Sequence, residues 1–256
     1  MNVLTILFSD GFEEGNLSAW SGTEYGSGGS APKVESSVVH SGVYACLQAL
    51  SGEAGAYSGC NKVLGSSYNA LHARAYVLFS ALPTGNANFV QVAPDICTTG
   101  DAQDLVVVWL RNNGSGVYWS IYWTVNGGST NYALSNVTPI TGIWYCVEVY
   151  VNLANGMGEV TLWVNGTKLV DVTGLSNGTY SASEVLTDAY CINGLAVNVY
   201  VDDVVVADSY IGPMYTPTFR SQRFQNNQSV SVSVCKPKAF RPKPLVLPVF
   251  KPRIVA

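Results

Sequence analysis

From Asp104 to Val172 one pattern recurs: a run of β-branched and aromatic residues, a short Gly/Asn turn, then another run. DLVVVWLR (104–111) leads into NNGSG, VYWSIYWTV (117–125) into NGG, and IWYCVEVYVN (143–152) into LANGMG. EVTLWV (159–164) then turns at Asn165-Gly166 into a return segment over 167–172. The runs alternate at period two, and their turns are rich in residues that accept positive φ, so they predict antiparallel hairpins. Segments 3–8, 33–39, 43–49, 71–80 and 88–97 read as strands on the same grounds. No fixed repeat length is present, which argues against a propeller or solenoid. The predicted fold is all-β: a two-sheet antiparallel jelly-roll sandwich.

Segment 199–213, VYVDDVVVADSYIGP, closes that sandwich in this reading. It is either a strand pair or one long strand with a tight bend at Asp202-Asp203. Charged residues make up only 12% of the chain against 48% apolar, which fits a turn-rich sheet protein and argues against a disordered body.

Charge divides the chain in two. Residues 1–213 carry all 17 carboxylates against five basic residues, a net −12. Residues 214–256 carry eight basic residues and no carboxylate, a net +8. Such a split separates a folded body (1–213) from a basic, Pro-rich extended arm (214–256). Pro237, Pro242, Pro244, Pro248 and Pro252 exclude a helix there. Apolar residues between the prolines suit docking on another folded surface and argue against nucleic acid. Lys236, Arg241, Lys243, Leu247, Phe250 and Arg253 are the candidate assembly residues, with other copies of the chain or other structural subunits as partners.

No basic leader with a cleavage site opens the sequence, and no apolar run is long enough to span a membrane. Six cysteines are spread without a CxxC pair, which argues against zinc. They are either buried thiols or include a Cys46–Cys60 bridge. Several of the six N-x-S/T sequons double as turn asparagines.

The segments FSDGFEEGNLSAW (8–20) and VYVDDVVVADSYIGP resemble the concanavalin A-like lectin/glucanase family in its laminin-G-like jelly-roll form. The hairpin sequence EVTLWVNGTKLVDVTGL is similar to that family's convex-sheet hairpins. The resemblance implies that the first and last strands lie together and that acids near each share a structural calcium. Asp10, Glu13, Asp202 and Asp203 are then the candidate ligands. The other reading is that Asp10 and Asp203 satisfy turn amides. This fold hosts enzymes, lectins and structural modules alike, so the resemblance does not fix a function.

Trp109 and Arg111 share one face of their strand, and Trp119, Ile121 and Trp123 share one face of the next, with Tyr118 and Tyr122 opposite. Trp109, Arg111, Trp119 and Trp123 are therefore candidates for stacking on sugar rings. Alternatively, one row fills the core and the other packs on the surface. The closely spaced acids of the glucanases are missing: Glu148 and Glu159 are isolated, and His72 reads as a half-exposed strand residue. The chain is accordingly expected to be a non-catalytic structural or surface protein of a virion or comparable particle, made in the cytoplasm and needing no cofactor, with calcium as the metal it suits. A carbohydrate-binding lectin-like module and a polysaccharide-degrading enzyme are the alternatives.

Overall fold

A computed structural model describes residues 4–92, 94–100 and 103–214; its strands include those the alternating runs require, together with strands over 22–26, 56–68, 130–134 and 182–191 that the sequence reading did not single out. In chain order they are β1 (Ile6–Asp10), β2 (Gly22–Gly26), β3 (Lys33–Glu35), β4 (Ala45–Ser51), β5 (Ala56–Tyr68), β6 (Ala70–Phe79), β7 (Phe89–Gln91) and β8 (Asp95–Cys97). There follow β9 (Asp104–Asn112), β10 (Val117–Thr124), β11 (Thr130–Leu134), β12 (Tyr145–Asn152), β13 (Asn155–Val164), β14 (Thr167–Ser176), β15 (Ala182–Cys191) and β16 (Ala196–Ala207). Among the described residues there is no helix. The expected arm, with Lys236, Arg241, Lys243, Leu247, Phe250 and Arg253, lies outside the described residues.

Two antiparallel sheets of eight strands each result. The first runs β14-β13-β12-β6-β16-β4-β3, with β1 paired to β16. The second runs β11-β10-β9-β7-β15-β5-β2, with β8 between β15 and β9. Closure comes from the two ends of the body: Ile6 pairs with Ala207 and Asp10 with Val204. Of the two readings of segment 199–213, one long strand with a bend holds as far as Ala207, where β16 ends: its register shifts between Asp202 and Val205 and Asp203 sits at φ 47°. Aspartate tolerates that left-handed conformation better than the valines around it.

The core lies between the sheets, with Phe79, Trp119, Ile121 and Leu162 among its fully buried side chains. The 8–20 segment plugs one end of it. Phe8 meets Trp20 edge-on at 5.1 Å, Phe12 stacks on the same ring at 5.9 Å, and Trp20 Nε1 donates to Asp10 Oδ2 at 2.7 Å. Cys46 and Cys60 come from opposite sheets, not from paired strands, and their Sγ atoms are 4.0 Å apart as free thiols.

His72 departs from the half-exposed placement expected of it. It is 8% exposed, and its Nδ1 lies 2.8 Å from Glu148 Oε1. Glu148 also accepts the backbone N–H groups of Ile211 and Gly212 at 3.0 and 2.8 Å, so the segment after β16 is clasped over the outer face of the first sheet.

Candidate functional site

Strand alternation gives the second sheet an outer face whose residues are aromatic and acidic where the inner ones are aliphatic. On β9, Val106, Val108 and Leu110 point into the core while Val107, Trp109 and Arg111 point out. On β15, Val185 and Ala189 point in while Leu186, Asp188 and Tyr190 point out. Of these outward residues, Trp109, Leu186, Asp188 and Tyr190 line an open groove of about 650 Å³.

Its aromatic wall is continuous. Phe89 and Trp109 stack at 4.0 Å with planes 13° apart, Trp109 continues to Tyr122 at 4.5 Å, and Phe89 to Tyr190 at 6.1 Å. Phe89, Val107 and Trp109 form a small apolar cluster of their own, separate from the core. Stacked rings of this kind offer a flat apolar surface to a ligand. Trp109 lines the groove with its ring, and its Nε1 is buried without a hydrogen-bond partner.

The acidic side is built around Gln91. Its Nε2 donates to Asp95 Oδ2 at 2.8 Å and to Asp188 Oδ2 at 3.2 Å, so those two oxygens are at most the sum, 6.0 Å, apart. Asp188, Asp104 and Glu24 line the groove, whereas Asp95 is buried beneath it on β8. Burial pushes the Asp95 carboxyl well above the usual carboxylate range, and the charges of Asp188 and Asp104 push it the same way. Asp188 can lie across β5 because the residue opposite it is Gly59. A Cβ there would come within 2.8 Å of the Thr187 carbonyl and 2.9 Å of Asp188 Oδ1. No Lys or Arg is among the described residues lining this groove.

The structure separates the four proposed sugar-stacking residues. Trp109 lines the groove, and Arg111 shares its face but lies beyond it, 4.2 Å over the Tyr132 ring. Trp119 (0% exposed) and Trp123 (7%) face the core, because Ser120, not Trp119, is paired opposite Trp109. The partners that Trp109 has on β10 are on the Tyr118–Tyr122 row. Gln91, Asp95, Asp104 and Asp188 were not singled out from sequence; they are single polar residues on four strands, and only pairing brings them together.

The second expected cluster does converge. Asp10, Glu13 and Asp203 line one open depression of about 480 Å³, with Arg74 also in its wall. Ligand-type atoms of His40, Asp202 and Asp203 lie within 4.8 Å of one another. His40 Nδ1 is 2.7 Å from Asp203 Oδ2, and the backbone N–H groups of His40 and Ser41 donate to Asp202 Oδ2 at 2.9 and 3.1 Å. Burial raises the Asp202 carboxyl to about 6, opposed by the Ser41 amide and reinforced by the Asp203 charge. Asp10 accepts the Phe12 amide and Trp20 Nε1, and Glu13 accepts the amides of Val43 and Tyr44. Carboxylates with spare lone pairs around a shared negative charge fit a hard, oxygen-seeking cation such as calcium, with Asp202 and Asp203 as the nearest pair.

No protein-family model matches the sequence, and no curated protein sequence matches it. Solved structures do match. An endo-β-1,4-glucuronan lyase from the fungus Trichoderma reesei superposes with a TM-score of 0.63 at 16% identity, covering 80% of this chain and 96% of that one. The cellulose-induced protein Cip1 gives 0.60 at 19% identity, covering 81% and 100%. A carbohydrate esterase from the Shiga toxin-encoding bacteriophage phi24B gives 0.54 at 15% identity, covering 81% and 100%. The fold is a two-sheet antiparallel jelly-roll sandwich. At these identities the likeness establishes the fold alone. It nevertheless overturns two expectations drawn from the sequence, a virion structural role and the absence of catalysis. Among the proteins that share this sandwich over most of their length are a glucuronan lyase, a cellulose-induced protein and a carbohydrate esterase. Among the described residues, no helix is long and apolar enough to cross a membrane.

Proposed function

We propose that the protein is a polysaccharide-active enzyme that takes a glycan chain into the groove on the outer face of the second sheet. The observation that carries this reading is the juxtaposition of the Phe89–Trp109–Tyr122 stack with the Gln91-bridged acids Asp95 and Asp188 in one open groove. The rings hold sugar faces, and the groove acids supply proton transfer at the bond to be broken.

Hydrolysis suits this groove better than β-elimination. A lyase must neutralise the carboxylate of a uronic acid, and among the described residues lining the groove there is no basic side chain. Hydrolysis needs a carboxyl group to protonate the leaving oxygen and a carboxylate to assist the incoming nucleophile. Asp188 and Asp104 line the groove from strands on either side of β8 and are the candidates for those roles. Asp95 is a positioning residue: it holds Gln91, and through it Asp188, without reaching the groove itself.

The test is a product analysis on a panel of neutral, acidic and amino-sugar polysaccharides. Hydrolysis releases reducing ends without the ultraviolet absorbance of an unsaturated sugar. Unsaturated products would replace the hydrolytic reading with a lyase. Binding with no product from any polymer would make the protein a lectin-like module, and no binding at all would sink the reading.

The Asp202–Asp203 corner is proposed as a structural calcium site that ties β16 to the 38–44 loop. It has no part in the reaction.

A further inference from the structure

The outer face of the second sheet carries a line of directly paired residues that runs at right angles to its strands. Gly26 on β2 pairs with Tyr57 on β5, Tyr57 with Tyr190 on β15, Tyr190 with Gln91 on β7, and Gln91 with Trp109 on β9. Directly paired residues share a face, and Tyr57, Tyr190, Gln91 and Trp109 all line the groove. The groove therefore crosses the sheet instead of following one strand. From Tyr57 on β5 to Tyr122 on β10 there are four strand spacings, a span of roughly 19 Å. That is longer than a disaccharide.

Rings stand at both ends of that span. At one end is the Phe89–Trp109–Tyr122 stack. At the other, the half-buried Tyr57 is laid across β2. A Cβ at Gly26 would come within 2.8 Å of the Tyr57 hydroxyl and 2.9 Å of its Cζ, so the ring fills the space a side chain there would take. Gly26 does not adopt the left-handed conformation that calls for glycine, so the close approach of the ring is what the missing side chain serves. Asp188 lines the groove from β15, between the two sets of rings. We propose that Tyr57, seated over Gly26, is a second sugar platform, and that the groove holds an internal stretch of a polysaccharide with Asp188 between the two held segments. This rests on the groove being the glycan site. A tyrosine in this position offers an apolar face to sugar C–H groups and a hydroxyl at its edge. An oligomer that reaches one platform gains one set of contacts. One that reaches both gains the second without a second loss of translational freedom. The bond presented to Asp188 then has held sugars on either side, and the chain is cut inside its length.

The test is calorimetric titration of the full chain with cello-, manno-, xylo-, chito- and glucuronan oligosaccharides, each from disaccharide to hexasaccharide. In at least one series the hexasaccharide is expected to bind about tenfold or more tightly than the disaccharide. Tyr57→Ala should remove most of that gain and leave the disaccharide, held by the other platform, within about twofold. Gly26→Val should do the same by displacing the ring while every aromatic residue remains, and Tyr57→Phe should behave as the unaltered protein. On a polymer that the protein degrades, viscosity should fall well before small sugars accumulate. Affinity that does not rise with length overturns the second platform and leaves the glycan groove standing. So does a hexasaccharide that Tyr57→Ala and Gly26→Val bind as the unaltered protein does. A disaccharide weakened as much as the hexasaccharide also overturns it, because the substitutions would then have damaged the groove as a whole. Products confined to mono- and disaccharides from the start overturn the internal mode of cutting. Failure of every oligomer to bind overturns this inference and the glycan groove together.

Discussion

Phe89 and Trp109, on adjacent strands β7 and β9, stack with ring centroids 4.0 Å apart on the outside of the sandwich, whereas Trp119, ten residues further along, is sealed inside it. The two tryptophans therefore predict opposite phenotypes. Trp109→Ala removes a groove wall: glycan binding in affinity electrophoresis should be lost, while the melting temperature moves by only a few degrees. Trp119→Ala opens a cavity in the core and should cost about 3–5 kcal/mol in urea unfolding. A Trp109→Ala protein that binds glycan normally would remove the groove from the account.

Asp95 predicts a pH dependence with a definite sign. Its carboxyl is raised well above the ordinary value by burial, so the folded state binds its proton more tightly than the unfolded state does. Stability from this group is therefore greatest at low pH and declines as pH rises from about 4 through the raised value. Urea unfolding at a series of pH values should show that decline, and Asp95→Asn should flatten it. An unchanged slope in the variant would mean that other groups set it.

Cys46 and Cys60 bridge the two sheets without a bond, at 4.0 Å. Their mutual contact and burial raise the Cys46 thiol well above its usual range, so air oxidation at neutral pH should be slow. Once a strong oxidant closes the bond, the ring of about 15 residues should add about 3 kcal/mol to stability. Non-reducing mass mapping with thermal melts checks this, with Cys46→Ser as the variant that should show no gain.

Calcium is tested by the same melts. If Asp202 and Asp203 hold it, a chelator lowers the melting temperature and added calcium restores it by mass action. Asp203→Asn should abolish both responses. Identical melts with chelator and with calcium would remove the metal from the account of these acids.

Much of the fold was legible because it depends on local pattern. The hairpins follow from alternation and Gly/Asn turns, and the bend at Asp202-Asp203 follows from two acids interrupting a valine-rich strand. The face of β10 was not legible: both its rows are aromatic, so only the pairing of Ser120 with Trp109 shows that Trp119 and Trp123 are core. The groove was hidden for a related reason. Its members come from strands distant in sequence, and a lone Asp188 or Gln91 has no motif. One signal was available: outward positions on three strands read Phe89-x-Gln91, Trp109-x-Arg111 and Leu186-x-Asp188-x-Tyr190, aromatic or polar where a solvated face carries small polar residues. The His72–Glu148 contact was not legible because the two sit on β6 and β12, two residues out of direct register, Glu148 pairing with Arg74 and His72 with Tyr150.

The central claim, that this groove binds and cleaves a polysaccharide, is tested most directly by the turnover of Asp188→Asn beside the unaltered protein on whichever polymer the latter degrades. The account predicts that reducing-end release falls by about 10²-fold or more, while affinity for that polymer stays within a few-fold and the fold is unchanged. Full turnover in the variant would contradict it, because the chemistry would then lie elsewhere on the sandwich.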